Sequence, residues 1–157
     1  GGSVGIENAS GAFLNLTTNT DQGIMWRAVL EAIGYDYIYV ADMYRNAGCN
    51  LDRIVVTEGG SKSSLWNQIK ADMLGSEVVT LENVEGAVLS DAILAAYAVG
   101  DIHDLKKALL DVVKVKKVYT PNKENTKFYR EMFKIQQQII RNDMKSVFNQ
   151  LEKMRSL

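Results

Sequence analysis

The segment Val55-Val56-Thr57-Glu58-Gly59-Gly60-Ser61-Lys62-Ser63-Ser64 holds the densest set of chemically useful residues in the 157-residue chain. A β-branched run ends in an acid, two glycines and a serine cluster, and a helical pattern follows. Paired glycines allow positive φ and close backbone approach. A helix start offers unbonded N–H groups and the positive end of the peptide dipole. Ser61, Ser63 and Ser64 add hydroxyls. Such a turn suits a phosphate. It also serves as plain turn chemistry before a serine-capped helix, and on these residues alone the plain turn is the stronger reading. The spacing, and the place of the lysine, fit neither a P-loop nor a G-x-G-x-x-G fingerprint.

Other residues with chemical potential are scattered. His103 has no companion at metal-ligand spacing and reads as a surface residue at a helix start. The single cysteine, Cys49, allows no intrachain disulfide and reads as a small buried or half-buried side chain. Asp21, Asp36, Asp42, Asp52, Asp72 and Asp91 each have a ready use in capping, solvation or salt pairing, and none is marked out as a base. No catalytic residue and no metal ligand is therefore assigned.

The turn needs a strand before it and a helix after it. Arg53–Thr57 is continuous and β-branched, as expected of a strand buried on both faces, and Glu77–Leu81 repeats the pattern. Ser64–Leu74 reads as a helix of about three turns, stopped by Gly75. Upstream, Gly11–Thr18 reads as a strand. Thr18 or Thr20 can then cap a long helix, with Asp21 favouring its positive end. Its apolar face is Trp26, Leu30, Ile33, Tyr37, Val40 and Tyr44, and Gly48 stops it. Downstream, the stretch from Asn83 to Gly100 is an alanine-rich helix, apolar nearly all round and so expected to be buried. His103–Val113 is a short amphipathic helix, and Lys114–Pro121 is extended. From about Asn125 to the end runs one long helical pattern with a seam at Ile140, Met144, Val147, Leu151 and Met154. Strand–helix alternation of this kind gives an α/β domain with a mostly parallel sheet.

Composition agrees with a globular domain: 46% apolar, 24% charged, net charge −1. That balance carries no nucleic-acid or polybasic membrane footprint. No apolar run approaches the roughly 20 residues that span a bilayer. The first ten residues lack a signal peptide's basic and apolar regions, so a cytoplasmic location is expected.

Four stretches in order resemble the C-terminal domain of the FGGY family of carbohydrate kinases, its xylulokinase-like members in particular. They are RAVLEAIGYD, RIVVTEGGSKSSLWNQIKADMLGSEV, EGAVLSDAILAAYAVGD and the tail VKKVYTPNKENTKFY. The resemblance covers roughly Gly11–Tyr129. It implies an actin-like, ribonuclease H-like fold, incomplete here at its first strands. Residues 1–122 would be the nucleotide-binding domain and 123–157 a C-terminal helical extension. It implies ATP or ADP with Mg²⁺ as cofactors. Thr57, Gly59, Gly60 and Ser61 match the family's T-x-G-G-[AS] turn beside the phosphates, and Ser64 falls beside the adenine.

Three departures from the family pattern stand out: Glu58, the sequence Val88-Leu89-Ser90-Asp91-Ala92 with a charge on the buried side of its helix, and Asn19 in place of a common histidine. By the same resemblance, the catalytic base and most sugar contacts belong to an N-terminal domain outside this chain. The expected function is the nucleotide-binding part of a kinase for a sugar hydroxyl, with xylulose first and gluconate or another ketose as alternatives. The chain alone would be inactive. The competing reading is a non-catalytic nucleotide-binding or assembly module. An uncovered sheet edge and the C-terminal seam point to a homodimer.

Overall fold

A computed structural model describes residues 8–57, 59–82 and 86–157. These form two compact units: the described residues of Gly1–Cys49 together with Lys123–Leu157, and Asn50–Asn122.

The first unit begins without the expected strand. Among the described residues, 9–17 form no strand, Asn15 takes a φ of 59°, and Phe13, Leu14 and Leu16 are exposed. A left-handed residue breaks an extended run, and a strand without a ladder partner leaves its backbone groups unpaired. Helix α1 follows at Gln22–Asn46. Its cap is Asp21 itself, whose Oδ1 accepts the Ile24 N–H at 2.7 Å. Thr20 is used one step earlier, accepting the Thr17 N–H. Gly48 ends α1 as expected: at φ 84° it returns its N–H to the Arg45 carbonyl, and Cys49 returns its own to Tyr44. Cys49, just past this left-handed turn, is exposed rather than buried.

The inward face of α1 differs from the expected one. Gly34, Ile38 and Ala41 are buried, whereas Trp26 is 62% exposed and Ile33, Tyr37 and Tyr44 are also exposed. A reading weighted by large apolar side chains gives no credit to Gly34 and Ala41, the small residues that line the buried stripe.

In the second unit, β1 (Arg53–Val56) leads through the glycine turn into α2 (Ser64–Leu74). Then come β2 (Glu77–Leu81), α3 (Gly86–Ala98), α4 (Leu105–Val112) and β3 (Val115–Tyr119). The sheet order is β1-β2-β3. β1 runs parallel to β2, pairing Arg53 with Glu77 through Val56 with Thr80. β3 is antiparallel to β2, pairing Val78 with Tyr119 and Thr80 with Lys117. The sheet is therefore mixed rather than mostly parallel. Only β2 is buried on both faces. β1 is an edge strand with Val55 52% exposed, and its Arg53 bonds Glu77 across the sheet at 2.7 Å.

Helix α2 is the core of this unit. Ser63 Oγ accepts the Trp66 N–H, and Gly75 closes the other end at φ 63°. Between them Trp66, Asn67, Ile69, Lys70, Ala71, Asp72, Met73 and Leu74 are all buried. Ala71 joins Val78 and Tyr119 in the core, with Val56 packed against them. Helix α3 is not buried: Val88, Leu94 and Tyr97 are exposed, Leu89 and Ala96 are half-buried, and among its described side chains only Ile93 is buried. An all-round apolar helix needs neighbours on every side, and within this unit α3 packs against α4. Asp91 is exposed, so its charge does not disturb packing. The residues expected to open this helix, Asn83–Glu85, lie outside the described ones. Asp104 caps α4 through the Lys107 N–H at 2.9 Å, and His103 is exposed as expected.

The tail is two helices, not one. Helix α5 (Lys123–Gln138) passes through a π-helical turn at Ile139–Asp143 into α6 (Lys145–Arg155). Val147, Leu151 and Met154 of the expected seam are exposed. Polar groups tie α5 to α1. The buried Tyr129 donates its phenol proton to Glu31 at 2.7 Å and accepts from Arg27 at 3.1 Å, while Arg130 grips both oxygens of Asp42. Tyr35 and Phe133 stack beside them.

Asp72 supplies a test of the second unit. It is buried and accepts the backbone N–H of Asn122 at 2.8 Å and the amide of Gln68 at 2.8 Å. Asp72→Ala strands the Asn122 N–H and is expected to cost about 2–3 kcal/mol of stability. Urea titration against wild type measures it; an unchanged midpoint would mean that α2 does not anchor the chain leaving β3.

Candidate functional site

The turn stands where β1 ends and α2 begins. Thr57 follows β1 and is exposed; Glu58 lies outside the described residues. Gly59–Ser61 forms one 3₁₀ turn, closed by the Lys62 N–H on the Gly59 carbonyl at 3.3 Å. After two residues the Ser63 cap opens α2, so the turn sits at the positive end of a helix of 11 residues.

The glycines act otherwise than expected. The left-handed ones among the described residues are Gly48, Gly75 and Gly100; Gly59 and Gly60 are not among them. A tight right-handed turn asks for no positive φ, so what these two provide is space. A Cβ at Gly59 would stand in the open, and one at Gly60 would reach Trp66 Nε1 at 4.0 Å, an ordinary contact.

The serines divide in role. Ser61 is buried, and its carbonyl accepts from Asn67 Nδ2 at 2.7 Å. Ser64 is exposed, and its Oγ accepts the Tyr119 phenol proton at 3.1 Å. The structure thus brings Thr57, Gly59, Gly60, Ser61 and Ser64 to one end of α2, with Ser61 facing inward.

Two residues beneath the turn escape a sequence reading. Asn67 is fully buried, and among the described residues its Oδ1 has no partner. Lys70, one turn further along α2, is 5% exposed. Its Nζ lies 3.4 Å from the Gly60 carbonyl and 5.3 Å from the centroid of the Trp66 ring. Among the described residues no carboxylate forms an ion pair with it. Burial pushes its pKa down to about 8, and the Tyr119 phenol only partly offsets that. The available signal was two polar residues among Trp66, Ile69, Ala71 and Met73, a pattern also consistent with a solvated helix face.

The turn can receive an anion by backbone and dipole, with room over Gly59. Two shallow clefts, of about 380 Å³ lined by Phe133, Gln137 and Arg141 and about 280 Å³ lined by Phe13, Met25 and Trp26, are built from other residues. Among the described residues no group of three or more His, Cys, Asp or Glu is placed to hold a metal ion. No described helix is long and apolar enough to cross a membrane.

The model of the FGGY family of carbohydrate kinases, C-terminal domain, matches residues 5–99. Xylulose kinase of Staphylococcus epidermidis is 30% identical over 129 residues, covering 82% of this chain and 26% of that protein. The chain spans about a quarter of the length of the curated relatives it matches. Among solved structures, the ligand-bound xylulose kinase of Lactobacillus acidophilus superposes with a TM-score of 0.76 at 27% identity, over 92% of this chain and 29% of that one. The gluconate kinase of the same organism gives 0.75 at 27%, with the same coverage. The expected α/β class, actin-like and ribonuclease H-like, holds.

Lys70 gives the site a pH signature. Below about pH 8 its ammonium is charged in both folded and unfolded chains, and its burial cost is fully present. Between about 8 and the ordinary lysine value of 10.5, the unfolded chain binds more protons than the folded one, so unfolding free energy rises with pH. Lys70→Met, which keeps the stem and drops the charge, removes that slope. Raising pH from about 7.5 to about 9.5 should narrow the stability gap between variant and wild type by about 1–2 kcal/mol. Parallel slopes in denaturant titrations at several pH values would mean that Lys70 is not titrating there.

Proposed function

The chain belongs to the FGGY family of carbohydrate kinases through that family's C-terminal domain, and from this premise we propose that it is the nucleotide-binding part of an ATP-dependent sugar kinase. One observation carries the reading: a strand end and a helix start joined by a glycine turn, with open space over Gly59. ATP supplies the phosphoryl group. The turn's part is to receive nucleotide phosphates on backbone donors at the positive end of α2, with Thr57 and Gly59–Ser61 beside them and Ser64 toward the adenine. Mg²⁺ would accompany the nucleotide, but the described residues form no cluster to hold it, and no step is assigned to it. The reading carries a cytoplasmic setting with it.

The acceptor is a sugar hydroxyl. Xylulose is the first candidate and gluconate the second, supported by likeness to kinases of both names. The base that removes the hydroxyl proton lies outside this chain in this reading. Three of the aspartates are committed elsewhere: Asp21 to a cap, Asp42 to Arg130, Asp72 to Asn122. A non-catalytic module draws support from Glu58 and Asp91; Asp91 is exposed, so it is no packing defect, and Glu58 lies outside the described residues.

Titration with ADP tests the nucleotide reading. Binding is expected with a Kd of about 10⁻⁴ to 10⁻³ M, or roughly 4–5.5 kcal/mol, weak because one side of the cleft is not in this chain. Gly59→Val fills the open space without touching the core, so it should abolish binding and leave stability unchanged. A coupled ADP-release assay with xylulose, gluconate and glycerol should stay at background. Undiminished binding by the variant removes the turn from the site, and robust turnover refutes the assignment of the base.

Self-association belongs to the same reading. The exposed edge of β1, with Val55, and the outward residues Val147, Leu151 and Met154 offer surfaces on which a second copy can dock. A two-fold homodimer at micromolar concentration is the expected outcome of light scattering over a dilution series. A 17.5 kDa monomer throughout would rule it out.

A further inference from the structure

We propose that Tyr119 is a positioning residue of the nucleotide site: its phenol, anchored in the core of the second unit, holds the exposed Ser64 hydroxyl in one orientation at the start of α2, where it contacts the base of a bound nucleotide. The ligand in this proposal rests on the function proposed above; the hold on Ser64 does not.

The three serines of the segment are held differently. Ser63 gives its oxygen to the Trp66 N–H, and Ser61 is buried. Ser64, in the first turn of α2, is exposed, and the bond that reaches it comes from another element. Tyr119, the last residue of β3, places its Oη 3.1 Å from Ser64 Oγ. The phenol is itself fixed: Tyr119 is 7% exposed, packs with Ala71 and Val78 and faces Val78 across the ladder. An exposed serine otherwise samples several staggered rotamers. A bond to a fixed partner selects one of them and removes the entropy cost of ordering the side chain when a ligand arrives. Tyr119 lies beyond residues 5–99, the stretch that the family model matches, so the match itself assigns it nothing.

The surroundings of the phenol oxygen set the sense of the bond. Hydrogen bonds with Ser64, Asn67 and Lys117 hold the Tyr119 pKa below its ordinary value, against burial, which raises it. Lys117 Nζ lies 4.6 Å from the centroid of the same ring. A phenol has one proton to give and two lone pairs. With Asn67 and Lys117 as donors to it, its own proton goes to Ser64, the less acidic hydroxyl. Ser64 Oγ then accepts from the protein and keeps its proton for an acceptor beyond it, such as a ring nitrogen of a base. A buried phenol needs some partner, and finding one is the whole of a structural role. Such a role makes no demand on how Ser64 meets a ligand, and the experiment reads that difference.

The hold is tested by the three-bond Hα–Hβ couplings of Ser64 in NMR spectra of wild type, Tyr119→Phe and Glu58→Gln. Wild type should show a single rotamer. Tyr119→Phe keeps the ring in the core, removes only the hydroxyl, and should show averaged couplings. Glu58→Gln removes the carboxylate closest in sequence, at a position outside the described residues, and should leave the couplings as in wild type. The site is tested by ADP affinity in wild type, Ser64→Ala, Tyr119→Phe and the double variant. Each single variant should bind about three- to tenfold more weakly, as loss of one hydrogen bond predicts. The double variant should be no weaker than Ser64→Ala, because Tyr119 acts only through Ser64. Couplings unchanged in Tyr119→Phe, or averaged in Glu58→Gln instead, overturn the hold. Losses that multiply in the double variant, or undiminished ADP affinity in either single one, overturn the positioning role. If no chain binds ADP and Ser64 still loses its rotamer in Tyr119→Phe, the hold stands and the nucleotide reading fails.

Discussion

The second unit depends on a helix that is buried on nearly every side yet carries polar residues. An unpaired polar group in such a place costs a few kcal/mol, so each must find a partner in a neighbouring loop. On α2 they do so in two directions. Asn67 and Lys70 reach back to the turn that precedes the helix. Gln68 and Asp72 reach across to Thr120 and Asn122, where the chain leaves β3. One helix thereby fixes both the glycine turn and the exit of the last strand, and the sheet is held between those two anchors.

The two anchors are not equivalent. The Asp72 end is fully partnered and is simply structural. The turn end is not: among the described residues Asn67 Oδ1 has no partner, and Lys70 has a 3.4 Å contact with the Gly60 carbonyl and no ion pair. Proteins concentrate such unresolved polar groups at sites that work. Here they lie directly beneath the glycines whose family pattern concerns nucleotide phosphates.

What was legible in the sequence was whatever depends on a residue and its immediate neighbours. The Ser63 cap, the Gly75 and Gly48 stops, the span of β2 and the strand–turn–helix order follow from local chemistry. What was hidden depends on who stands alongside. Periodicity marks Gly11–Thr18 as apolar but cannot supply a strand to pair with, and it marks α3 as apolar all round but cannot supply covering on every side. On α1 the eye follows Trp26 and Tyr37, while the small residues Gly34 and Ala41 decide the buried stripe. At the site, the glycine pair was visible but its conformation was not, since a right-handed 3₁₀ turn and a left-handed one can share a spelling. Lys70 stayed out of view because a lysine on a helix is ordinarily solvated.

The π-helical turn between α5 and α6 acts as a phase shifter. Its bond from the Met144 N–H to the Ile139 carbonyl lodges one residue more than an α-turn holds, and each residue is worth about 100° of rotation. Every position beyond it is therefore displaced by one. Phe148, rather than its neighbour Val147, is the residue of α6 that is buried, just the one-place offset that such an insertion produces. The sequence's regular spacing from Ile140 to Met154 is real, but the extra residue rotates it outward, so a stripe that an uninterrupted helix would turn inward is presented on the surface instead.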